Sequence, residues 1–179
     1  MLLTYHRLEA RAIRSQDELL TAMMAGENLQ GADLTGLELE DVDLADADFS
    51  GSRLSGVRMK NINLAGANFN RAMLDGLIAE HVNFSGIHAE FSVFGLSIFQ
   101  SVQFCEADLR RSNFVGVSAE GCNFSGADVY YARFAGASLK ASNFGDAHLQ
   151  RCIFRAADVR DVNFKNARGG ANFDRAIRG

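Results

Sequence analysis

The sequence predicts an all-β solenoid, a stack of four-sided coils closed at its start by a short helix. Three observations carry this. Phe recurs every ten residues from Phe84 through Phe94, Phe104, Phe114, Phe124, Phe134, Phe144 and Phe154 to Phe164, a spacing that neither a helix nor a flat strand can gather on one face. A finer period of five underlies that ladder: from Leu34 to Phe164 every fifth residue is Leu, Phe, Met, Val or Ala, and the residue two before it is usually small or β-branched. Finally, Asn63, Asn83, Gln103, Asn123, Asn143 and Asn163 recur every twenty residues just before a large inward residue. A coil of four five-residue sides stacks these amides so that they can bond along the axis. A fixed period held over most of a chain is the mark of a stacked repeat.

Residues 1–26 are the lead-in and cap. Residues 2–13 are expected to add a strand-like approach. Ser15-Gln16-Asp17-Glu18 has capping-box spacing, and Leu19, Leu20, Met23 and Met24 form an apolar face before Gly26, so a short helix should cover the first coil. The repeat body spans 27–168. Each unit places a small and a large side chain inward around one outward residue, a short stretch of strand, and two further residues turn the corner. Gly at the second of these, as in Gly36, Gly56, Gly76 and Gly116, suits a tight turn. Phe enters from two opposite walls, and the others supply smaller residues such as Ala89, Leu109 and Ala119, filling the core by setting large against small. Seven coils at about 4.8 Å each give a rod roughly 33 Å long. Residues 169–179 are expected to form an irregular end, because Phe173 falls one residue early after Gly169-Gly170.

The units Gly31-Ala32-Asp33-Leu34-Thr35 and Gly66-Ala67-Asn68-Phe69 resemble those of the pentapeptide repeat family. The resemblance implies a right-handed, four-sided parallel β-helix. It also implies a functional alternative, since members that confer quinolone resistance are understood to imitate duplex DNA and engage DNA gyrase. The segment from Gly26 to Gly36 is also similar to arrays in bacterial proteins associated with type VI secretion, which implies an adaptor or accessory role.

Composition narrows the classes. The 179 residues include no Pro, which suits coils that must each pair with the next. Cys122 and Cys152 take small inward positions and Cys105 an outward one, so all three read as reduced and structural. No signal peptide or membrane span is apparent, and the chain is expected to be cytoplasmic, with no membrane partner. His88 and His148 share a wall but lie three coils apart, roughly 14 Å and too far to share a metal. Ser52, Ser92, Ser112 and Ser142 occupy inward positions that no base can reach. The expectation is no enzyme, no metal and no cofactor.

The net charge of −4 is unevenly spread: residues 27–48 hold eight acids and no Lys or Arg, whereas residues 151–179 hold seven bases against three acids. A DNA mimic should be negative along its whole length. Here two walls are negative, one is near neutral and one slightly positive, so gyrase is disfavoured as a partner. The bases form no dense stripe in the sequence, so direct nucleic-acid binding is not expected either.

The unusual surface feature is apolar. Met73 and Val93 are outward one coil apart on one wall, Ile78 and Ile98 do the same on the next, Leu96 lies at the corner between them, and Phe91 stands at a neighbouring corner where Gly is common. Contiguous exposed apolar residues mark contact surfaces. These six are the candidate partner-binding site of a scaffold for a protein partner, another copy of the chain included. Tyr130 and Tyr131, near Arg110, Arg111 and Arg151, form a second candidate on what reads as another wall.

Overall fold

The computed structural model describes residues 10–179, so residues 2–9 of the expected lead-in lie outside the described residues. Arg11 to Ile13 form the first rung: Asp33 donates its amide to the Arg11 carbonyl (2.7 Å) and Ile13 donates to the Asp33 carbonyl (2.8 Å). Helix α1, Gln16–Met24, follows as a lid. The Ser15 hydroxyl accepts from the Glu18 amide at 3.1 Å, the cap that the spacing predicts, while the Glu18 carboxylate accepts from the amide of Arg14 at 2.8 Å, one residue before the Ser15 amide that a capping box engages. The buried face differs from the expected one. Leu19 and Ala22 are fully buried, Leu20 and Met23 partly, and Met24 is 82% exposed, because the last turn rotates it away from the coil.

The body is a right-handed four-sided parallel β-helix. Wall 1 is centred on Leu34, Leu54, Leu74, Phe94, Phe114, Phe134 and Phe154. Wall 2 follows five residues later, wall 3 carries the amides, and wall 4 runs from Phe49 to Leu149. Wall 2 holds the only regular strands among the described residues: β1 (Glu38–Glu40), β2 (Arg58–Lys60), β3 (Ile78–Glu80) and β4 (Ile98–Gln100), parallel and in sequential order. Their register is Leu39 on Met59 on Ala79 on Phe99, a shift of one coil each time. Elsewhere each rung is a single bridge at the same offset, such as Asn123 on Asn143. The free edge of β1 is covered by a side chain. The Gln16 amide accepts from the Glu40 amide at 2.8 Å and donates to the Glu40 carbonyl at 3.1 Å, standing in for the peptide of a further strand.

The amide column on wall 3 is built as its spacing predicts. Asn63 donates to Asp43 (2.9 Å), Asn83 to Asn63 (3.0 Å), Asn123 to Gln103 (3.1 Å), Asn143 to Asn123 (3.0 Å) and Asn163 to Asn143 (2.7 Å). The link between Asn83 and Gln103 is the one not made among the described residues. Inside, Phe rings stack along each of two walls and meet edge-on across the core: Phe104 lies 4.9 Å from Phe124 at 5° between planes, whereas Phe124 meets Phe134 at 5.7 Å and 89°. Offset stacks and T-shaped crossings are the two favoured aromatic geometries, so a ten-residue Phe period satisfies both at once.

The last turn departs from the irregular end expected over 169–179. Pairing continues, with Asn172 on Ile153 and Ile177 on Asp158, and Phe173 stacks on Phe154 at 5.0 Å and 8°. The missing residue is absorbed at Gly169, whose φ is +91° and where a Cβ would fall 2.6 Å from the backbone nitrogen of Gln150. Only glycine can make this contraction.

Candidate partner-binding surface

The six candidate residues lie together. Met73 bridges to Val93 on wall 1, and Ile78 pairs with Ile98 on wall 2. Leu96 is 74% exposed, Ile98 52%, Phe91 48% and Met73 47%, while Ile78 and Val93 are half-buried between their ladder neighbours. The patch sits outside the most aromatic coil of the rod, where Phe94, Phe99 and Phe104 meet edge-on at 5.3–6.2 Å. Ser97 ties that coil to the one before, its hydroxyl donating to the Leu74 carbonyl and accepting from the Leu77 amide, each at 3.0 Å. Two adjoining, fully packed walls therefore present these side chains.

Two of them sit in unfavourable backbone. Phe91 and Leu96 both have φ of +60°, a region where a Cβ crowds the following carbonyl at about 1–2 kcal/mol. Most corners place Gly or a short polar residue there, and Gly95-Leu96 reverses that order so that the leucine takes the left-handed position.

The second candidate belongs to the same edge of the rod, a correction to the sequence reading. Tyr131 and Phe91 occupy the corner between walls 4 and 1, two coils apart. Tyr130 packs edge-on against Tyr131 at 4.8 Å. Arg110 turns away toward wall 4, gripping Asp108 through Nε and Nη2, both at 2.7 Å, and these bonds raise its already high pKa.

The remaining reactive groups are spoken for. Ser92, Ser112 and Ser142 are buried and donate to the carbonyls of Ala89, Leu109 and Leu139 at 2.5–2.6 Å, and Ser52 does the same to Phe49. Burial pushes the thiols of Cys122 and Cys152 up, holding them as inert thiols. Among the described residues no three His, Cys, Asp or Glu converge as a metal site, and no helix is long and apolar enough to cross a membrane.

A four-sided coil whose every side is one five-residue unit defines a class of solenoid. The chain belongs to the pentapeptide repeat family: the family model for pentapeptide repeats matches residues 28–61, 54–88, 97–130 and 132–168. No curated protein matches it in a sequence search. Among solved structures it is similar to HetL, a pentapeptide repeat protein involved in heterocyst differentiation regulation from the cyanobacterium Nostoc, with TM-score 0.57 and 16% identity over 92% of this chain and 95% of that one. It is also similar to full-length QnrB1, a plasmid-mediated fluoroquinolone resistance protein, with TM-score 0.56 and 20% identity over 84% of this chain and 91% of that one. At these identities the likeness speaks for the fold.

Proposed function

We propose that the chain is a non-enzymatic scaffold that docks a protein partner on the apolar patch of walls 1 and 2. The observation that carries this reading is the convergence of Met73, Phe91, Leu96 and Ile98, all exposed, on wall 1, its two corners and the adjoining wall 2. Phe91 and Leu96 share the left-handed φ that recurs at corners along the rod, where Gly or a short polar residue is more usual. Burial of several such side chains contributes a few kcal/mol, at roughly 25 cal/mol per Å² of apolar area before the costs of association.

The test is a photo-crosslinking residue placed at position 96 in cells, compared with one at position 143 on the far wall. A discrete adduct from position 96 alone, lost in the Val93→Asp, Ile98→Lys variant, supports the reading. Equal or absent adducts at both positions overturn it. The double variant leaves the inward ladder intact, so its thermal stability should be unchanged.

A second reading, a DNA-mimicking modulator of gyrase, is favoured by one observation. The flank formed by walls 3 and 4 carries Asp43, Asp48, Asp108 and Asp128 outward, with Asp46, Glu106 and Asp146 at the corner between them. Asn68, His88 and His148 interrupt this run and Arg168 ends it, which leaves it short of the continuous charge of a duplex. Inhibition of plasmid supercoiling by micromolar protein, lost on neutralising Asp108 and Asp128, would rank this reading first.

A further inference from the structure

The corner between walls 4 and 1 carries a pattern that the patch alone does not explain. Gly31 and Gly51 occupy it in the first coils, and then Arg71, Phe91, Arg111, Tyr131 and Arg151 follow, one per coil. All five have φ between 57° and 62°, so bulky side chains replace glycine five times running at a left-handed position. Cation and ring alternate along the column, and two of the arginines rest on the ring one coil before them. The Arg111 guanidinium lies over the Phe91 ring at 5.2 Å and that of Arg151 over the Tyr131 ring at 5.0 Å, with Arg151 also bonded to the Tyr131 hydroxyl.

A guanidinium stacked on a ring has its plane fixed, and the N–H groups that Arg111 and Arg151 do not already spend on Glu90 and the Tyr131 hydroxyl can meet a carboxylate. Among the described residues Arg111 meets one carboxylate, Glu90 at 3.1 Å, while Arg71 and Arg151 pair with none within 4.0 Å. Wall 1 adds Arg53 next to Met73, and Arg133 beyond Asn113 on the other side of Val93. A chain of net charge −4 thus concentrates arginine along one edge, contiguous with its apolar patch, and acid on the flank of walls 3 and 4.

We propose that this edge and the patch form one docking surface for an acidic segment of a protein partner, whose apolar side chains rest on Phe91, Val93 and Leu96 and whose carboxylates meet Arg71, Arg111 and Arg151. The proposal rests on the reading above and names the chemistry of its partner. Alternate coils space the arginines by roughly 10 Å, close to every third residue of an extended chain at about 3.1 Å per residue. A second copy docking the same face on itself would set arginine against arginine, which disfavours that pairing. Nucleic acid would leave Leu96 and Ile98 unused, and the guanidinium groups over the Phe91 and Tyr131 rings obstruct the base stacking that single strands require.

The test measures fluorescence anisotropy of a labelled peptide about twelve residues long, with Glu at every third position and Leu between. Its Lys counterpart and a short duplex DNA serve as the other probes. The Glu peptide should bind, weaken about tenfold or more between roughly 50 and 500 mM salt as the charges are screened, and outcompete the Lys peptide. The Arg71→Glu, Arg111→Glu variant should lose about tenfold or more in affinity, with Arg71→Gln, Arg111→Gln as the milder pair if the first misfolds by circular dichroism. If the arginine variants bind like the parent while Val93→Asp, Ile98→Lys does not, the acidic-partner proposal fails and the patch reading stands. If both sets bind like the parent, both fail. No preference for the Glu peptide, tighter binding of the duplex, or a dimer that strengthens at low salt and is lost in the arginine variants each overturns the proposal.

Discussion

Replacing Phe124 with alanine is the most direct trial of the coil assignment. Its side chain is fully buried and is held by four rings: Phe104 and Phe144 stacked at 4.9 and 4.6 Å, Phe114 and Phe134 edge-on at 6.1 and 5.7 Å. The backbone on both sides is fixed by ladder bonds, with Phe124 donating to the Asn143 carbonyl at 2.7 Å and Asn143 to the Cys122 carbonyl at 2.9 Å, so the coils cannot close over the void. The expected loss is therefore about 3–5 kcal/mol, the full range for a large aromatic in a core that relaxes little. For a chain of this length that corresponds to a fall in Tm of roughly 6–20 °C. Urea unfolding followed by circular dichroism gives the free energy directly, and Phe164→Ala, at a partly exposed rung, should cost clearly less. A loss below about 1 kcal/mol at position 124 would refute the packed four-ring environment.

Further predictions follow from other parts of the rod. Gly169→Ala should destabilise the last coil alone, since its Cβ would strike Gln150; hydrogen exchange should quicken over residues 171–177 while coils three to five are unaffected, and uniform protection would refute it. Leu96→Gly should leave Tm unchanged or slightly raised, because relief of about 1–2 kcal/mol of backbone strain offsets the entropy cost of glycine at about 0.5–1 kcal/mol; a marked fall would show that the leucine is structural. Ser15→Ala should cost about 1 kcal/mol through the lost cap, read as a lower urea midpoint. Arg160 bonds to Asp158 hold that carboxyl down at about 2, and the Thr35 hydroxyl lowers Asp33 in the same direction. A depressed carboxyl adds stability above its unfolded pKa of about 3.9, and this is lost as pH falls through the folded value. Acid should therefore weaken the rod between about pH 4 and 2, and carboxyl NMR should show the Asp158 midpoint rising in Arg160→Gln.

The fold was legible because its determinants are local and repeated. A Phe every ten residues and an amide every twenty each state a geometry that no helix or flat sheet can meet, and one misread unit would not change the period. The contraction at Gly169-Gly170 was visible as a slip in phase, but its outcome was not, because pairing survives through one glycine in an unusual conformation. The α1 face was partly misjudged: a capping box fixes where a helix starts, but not which of Leu20, Met23 and Met24 turns toward its neighbour. The apolar patch could be read from outward and corner positions together. The arginine edge was legible only in pieces, with Phe91 assigned to the patch and Tyr131, Arg111 and Arg151 to a separate candidate on another wall. Arg71, Phe91, Arg111, Tyr131 and Arg151 become a column only when corner positions are aligned at the twenty-residue offset.

That offset has a consequence for how such a chain can change length. The interior reads the sequence with a period of ten, since Phe from two opposite walls alternates with smaller residues, whereas the exterior reads it with a period of twenty. Inserting ten residues after Phe124 would leave the ring stacks in step, yet would swing every downstream side chain half a revolution, carrying Tyr131 and Arg151 to the opposite side from Phe91. Inserting five would rotate the surface by a quarter and also break the ring stacks, seating Phe134 over Ala119 and Val129 over Phe114. Only whole coils can be duplicated or deleted without tearing the outer columns apart. The interior tolerates more edits than the surface does, the reverse of the usual order in globular domains.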